Sequence, residues 1–81
     1  MANTMKLEAY KKILETMTLD EKAKLMNALA DADKLLRERC EANGGNWLLG
    51  MVYDDVLSGI YIASSYACEA WFKQYKREQG L

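Results

Sequence analysis

Three groups of residues in this chain have chemistry to offer: the adjacent carboxylates Asp54 and Asp55, the thiols Cys40 and Cys68, and the run Trp71-Phe72-Lys73-Gln74-Tyr75-Lys76-Arg77. Paired carboxylates do acid–base work when they face each other closely enough to share a proton. Neighbours on a helix point about 100° apart and do not face each other. The chain has no histidine, so Asp, Glu and two scattered cysteines are the only ligands on offer. That set does not suit a transition metal, and no loop of spaced oxygens is present for Mg or Ca. No nucleophile is paired with a base, and no glycine-rich phosphate loop occurs. Asp54 and Asp55 therefore read as a solvated pair, or as partners for a Lys or Arg on a neighbouring helix. The expectation is a non-enzyme without cofactor or metal.

The two cysteines lack a CxxC spacing and read as small buried hydrophobes, free thiols in a reducing compartment. The C-terminal run mixes three aromatics with three cations. It reads as a stacking and phosphate-contacting platform for nucleic acid, or as an ordinary amphipathic helix end with cations at the negative pole of the dipole. Composition favours the second, because 11 Lys and Arg stand against 12 Asp and Glu, whereas a phosphate-tracking domain carries a basic excess.

Elements must position these residues. The stripe Leu7, Tyr10, Ile13, Leu14 and Met17 predicts a short amphipathic helix over about 4–17, with Glu8, Lys11, Lys12 and Glu15 mostly outside it. Thr18-Leu19-Asp20-Glu21 is a capping box and opens a second helix over about 19–42. Leu25, Leu29, Ala32 and Leu36 form its core face. Asn43-Gly44-Gly45-Asn46 ends that helix in a left-handed Asn or Gly, and Asn46 caps the next. A connection so short makes the second and third helices antiparallel neighbours. The fold class is all-α: a short N-terminal helix and a long antiparallel hairpin in one domain.

The third helix, over about 47–78, has no proline and is apolar on most sides. Such a helix needs neighbours on more than one side. Unbroken it measures about 48 Å, against a radius of gyration of about 12 Å for a compact domain of this length. It must project, bend or be covered by another chain. Gly59 reads either as the bend or as the first step of a smooth ridge with Ala63 and Ala67. At 100° per residue the core face collects Leu49, Val52, Tyr53, Val56, Ile60, Ala63, Ala67 and Trp71. The opposite side is polar, with Asp54, Ser58, Ser65, Glu69 and Lys76, but Met51 and Ile62 break into it and Leu48 and Tyr66 widen it.

Apolar residues aligned on the wrong side of a helix mark a covered patch, and the other occupant of that patch is the first helix wrapping around. The charge-free stretch Val56–Cys68 has 13 residues, where a bilayer span takes about 20. MANTMKLEAYKK has no apolar stretch behind its first charges, so a cytoplasmic protein without a secretory leader is expected.

These features point to a small protein–protein interaction protein, an adaptor or inhibitor that occupies a partner's surface. An inhibitor encoded by a phage or other mobile element fits the profile. The expected partners are a second copy of the chain, through Leu48, Met51, Ile62 and Tyr66, and another protein, through Phe72, Tyr75, Lys73, Lys76 and Arg77. The competing class is a helical nucleic-acid-binding regulator. Against it, Lys22, Lys24, Lys34, Arg37 and Arg39 of the second helix are interleaved with acids.

Overall fold

Local signals set the element order. The computed structural model describes residues 2–80: helices α1 (Ala2–Thr16), α2 (Leu19–Asn43) and α3 (Asn46–Val52), a π-turn (Tyr53–Leu57) and α4 (Ser58–Gln79). The capping box forms as expected. The Glu21 amide donates to the Thr18 hydroxyl at 3.1 Å, and the Thr18 amide donates to the Glu21 carboxylate at 2.9 Å.

The turn after α2 has the expected positive-φ glycine but not the expected Asn46 cap. Gly44 has φ −165° and is not left-handed, and its amide and that of Gly45 both donate to the Cys40 carbonyl at 2.9 Å. Gly45 takes the positive φ of 68°, and Asn46 is already helical rather than a cap. Both glycines are required, for different reasons. A Cβ on Gly44 would sit 2.7 Å from the Leu48 Cβ, while the φ of Gly45 disfavours any residue with a Cβ.

α2 and α4 form an antiparallel pair in which Lys22, near the start of α2, donates to the Gln74 side-chain oxygen near the end of α4. In that register Leu29 lies level with Ala67. Lys22, Leu25, Leu29, Ala32 and Leu36 alternate spacings of three and four along α2, and Leu57, Ile60, Ser64, Ala67, Trp71 and Gln74 do so along α4. Such spacing is the seam of two helices packed along their length.

The third helix is continuous through Gly59, and its one irregularity, the π-turn, lies just before that residue. A regular helix carries the core face from Val52 to Val56. The five-residue π-turn adds one residue to the turn, so the face passes instead to Leu57, which is 0% exposed, while Tyr53 and Val56 are turned out. Sequence periodicity had placed those two inside. A Cβ on Gly59 would meet nothing within 4 Å, so the ridge reading fails at that end although Ala67 is buried.

The long helix is accommodated by an elongated molecule, with α2 running beside it almost to its end. The radius of gyration is 15.0 Å and the extents are 48 × 30 × 17 Å. Only Leu14, Lys22, Cys40, Leu57 and Ala67 are buried among the described residues. The accessible surface is 6195 Å², against about 4,900 Å² from the scaling for a compact monomer of this mass. No helix among the described residues is long and apolar enough to cross a membrane.

Candidate protein-binding surface

The candidate surface is built on α4, whose two flanks meet different surroundings. α1 packs on one flank. The Tyr10 hydroxyl donates to the Ala63 carbonyl at 2.7 Å, the Lys11 ammonium sits 4.8 Å from the centre of the Tyr66 ring, and Leu14 is buried. Burial pushes Tyr10 above the ordinary 10.0 of a phenol, because a desolvated phenolate is disfavoured. Ile13, expected on the inner stripe of α1, is exposed. The stripe that docks is narrower than the one the spacing drew.

Below Tyr66 the same flank opens into a groove of 830 Å³ between α1 and the last turns of α4. Leu14, Ala70 and Tyr66 supply its apolar wall, and Lys73 and Arg77 enter from α4. Lys73 is paired with Glu69 at 3.0 Å, and Lys76 lies 4.7 Å from the centre of the Phe72 ring.

The other flank is bare. Tyr61, Ser65, Cys68, Phe72 and Tyr75 repeat at four, three, four and three, the spacing of a second helix-packing seam. At 100° per residue they lie 100° or more from Tyr66, on the side away from α1. Tyr61 is 66% and Phe72 50% exposed, and Cys68 is exposed too. Both cysteines are free, as expected, but only Cys40 is a buried hydrophobe. Tyr75 stacks on Trp71 with ring centres 5.2 Å apart, which holds it at the edge of the seam.

The structure therefore separates the residues that sequence grouped as one partner-binding set. Phe72 and Tyr75 lie on the bare flank, Lys73 and Arg77 line the groove on the other, and Lys76 leans over Phe72 while also lining the groove. The expected self-association set divides as well. Leu48 is half-buried against the Gly44 turn and Tyr66 half-buried beside Lys11, whereas Met51 and Ile62 are exposed.

Two further aromatics, outside the candidate contacts that the sequence marks, are exposed. Tyr61 is one, and its spacing from Phe72 was the available signal. The other is Trp47, 72% exposed at the hairpin apex, where it lines a depression of 550 Å³ with Arg37, Met51, Tyr53 and Asp54. Asp54 and Asp55 are both exposed, within the π-turn.

Comparison of the chain with protein-family models, with curated proteins and with solved structures finds no match. The functional reading rests on the surface itself.

Proposed function

We propose that this protein is a non-enzymatic protein-binding module, an adaptor or inhibitor that works by covering another protein's surface. The observation that carries the reading is the bare seam of α4. Tyr61, Phe72 and Tyr75 repeat at helix-packing spacing where the chain has no element of its own to cover them. Large aromatics supply contact area at low entropic cost and dominate binding hot spots. The excess surface, about 1,300 Å² over the compact expectation, exceeds the roughly 800 Å² that one partner contributes to a standard interface.

The module self-associates, most simply as a C2 dimer, because a chain that leaves Met51, Tyr61, Ile62 and Phe72 exposed lowers its free energy by covering them. Met51 and Ile62 are the exposed members of the expected interface. An inhibitor carried by a phage or other mobile element, acting in the cytoplasm, is the setting that a small binding protein of this kind fits.

Capture from lysate by the immobilised chain, compared with a Tyr61→Ala, Phe72→Ala variant, tests the reading. The double variant should lose a captured protein that the parent retains, and equal capture by both would remove the seam from the mechanism. Light scattering should show twice the 9.2 kDa mass, with Ile62→Asp dissociating the dimer at unchanged helicity. A pure monomer at micromolar concentration would end the dimer proposal.

The second reading, a helical nucleic-acid-binding regulator, draws on the clustering of Lys73, Lys76 and Arg77 along the groove. A salt titration of binding to random duplex separates the two, because phosphate contacts impose a steep loss of affinity with salt.

A further inference from the structure

Lys22 is a cation in a core position. It sits in the α2 seam one turn before Leu25, is 2% exposed, and donates to the side-chain oxygen of Gln74. Gln74 is oriented for this by its own amide, which donates to the Glu78 carboxylate at 2.7 Å. A neutral amide oxygen cannot neutralise an ammonium. No carboxylate pairs with Lys22 among the described residues, and a lysine carries three donors. Burying a cation against a single neutral acceptor is unfavourable, and a negative charge brought to it would be strongly held.

The route for that charge is the groove. Lys22 lines it together with Lys11, Lys73, Lys76 and Arg77. Those five cations face two carboxylates, Glu15 and Glu69, on a chain whose net charge is −1. Glu69 is already paired with Lys73, while Arg77 is in no ion pair among the described residues. The groove is thus a positive, partly apolar channel with a desolvated cation in its wall.

We infer that this groove binds an acidic segment of a partner protein, with one carboxylate reaching Lys22 and flanking acids meeting Lys73, Arg77 and Lys11. The inference rests on the reading of the chain as a protein-binding module, but it uses the flank of α4 opposite Tyr61 and Phe72. A carboxylate on a slender side chain can reach a buried amine between two helices. A duplex carries its phosphates on a broad, stiff backbone and cannot insert one as far as the buried amine, whereas an acidic chain can space its carboxylates clear of Glu15 and Glu69. Lysine ammonium groups act as point charges without the planar demand of a guanidinium fork, which suits several carboxylates along a flexible chain.

The probe is a fluorescein-labelled peptide of alternating Glu and Leu residues, followed by anisotropy against the full chain. Saturable binding that weakens with salt is expected. Lys22→Met should bind about thirtyfold more weakly, the effect of losing one buried charge contact, while Lys34→Gln, an exposed cation elsewhere on α2, should bind as the parent does. Replacing the buried ammonium by an apolar side chain of similar length leaves the fold in place, which circular dichroism checks. Should Lys22→Met not fold, the exposed pair Lys73→Gln, Arg77→Gln must weaken the peptide by about tenfold.

Absence of saturable binding by the parent, unchanged binding by folded Lys22→Met, or tighter binding of random duplex than of the peptide would overturn the inference. Partner capture through Tyr61 and Phe72 is read independently. Loss of peptide binding with that capture intact fails the groove alone, and the reverse pattern fails the seam alone.

Discussion

The two flanks of α4 belong to one helix and differ because of one short neighbour. On the closed flank the Tyr10 hydroxyl is fixed to the Ala63 carbonyl, Leu14 is buried and cations gather along a groove. On the open flank Tyr61, Cys68 and Phe72 are exposed and Tyr75 is partly so. α1 has 15 residues and can cover one side of a helix of 22, so the apolar residues on the other side have no cover within the chain. An apolar residue on α4 is core or contact surface according to where α1 docks, not according to its own type.

The largest test of that contrast uses adjacent residues. Leu57→Ala should cost about 2–5 kcal/mol of unfolding free energy, as for other buried leucines, and Val56→Ala less than about 1 kcal/mol, as for exposed positions. Chemical denaturation of both variants checks it. A larger loss at Val56 than at Leu57 would mean that the helix is regular and the π-turn absent. Two glycines extend the comparison. Gly44→Ala should cost about 1–3 kcal/mol, because its Cβ would overlap the Leu48 side chain. Gly59→Ala, exposed and helical, should instead stabilise by about 0.4–1 kcal/mol. If both destabilise, Gly59 is a packed position and the ridge reading returns.

On the closed flank Tyr10→Phe should cost about 0.5–1.5 kcal/mol by removing the hydrogen bond to Ala63. Its pH dependence sharpens the point. Tyr10 titrates above 10.0 in the folded chain because burial disfavours the phenolate, so the folded state holds the proton longer than the unfolded state. Stability from this group is therefore complete below pH 10 and is lost as pH rises from there through the raised value. Tyr10→Phe should flatten that part of the stability curve, and an unchanged slope would mean that α1 is not docked through Tyr10.

The smallest expected effect is on the open flank. Phe72→Ala should change stability by less than about 0.5 kcal/mol, while weakening partner binding by about 2 kcal/mol. Tyr75→Ala should cost somewhat more stability, about 0.5–1.5 kcal/mol, through its stack on Trp71. A Phe72→Ala variant that unfolds would show that the open flank is a core.

The elements were legible wherever the signal was local. Thr18 and Glu21 form the capping box they spell, and Gly44-Gly45 makes the hairpin turn, although the positive φ falls on Gly45 and Asn46 has already joined the helix. The candidate surface was only partly legible. Phe72 and Lys73 are adjacent in sequence and were grouped together, yet adjacent residues on a helix diverge by about 100°, and the two reach opposite flanks. Tyr61 and Phe72 lie eleven residues apart on the same seam, which the spacing contains but does not distinguish from core. In sequence Lys22 is one charge in a mixed face. Nothing nearby in sequence indicates that its amine meets Gln74, a residue 52 positions away.

By itself, then, the sequence determined three helical segments, their antiparallel order and a surplus of apolar surface, because caps, glycines and periodicity act within a few residues. Tertiary structure decided the phase of the third helix and the identity of its bare flank. The reason is energetic: a π-turn gives up regular hydrogen-bond geometry so that Leu57 rather than Val56 enters the core. That exchange depends on how the helices on either side of the π-turn pack against α2, distant in the chain, which no local pattern records.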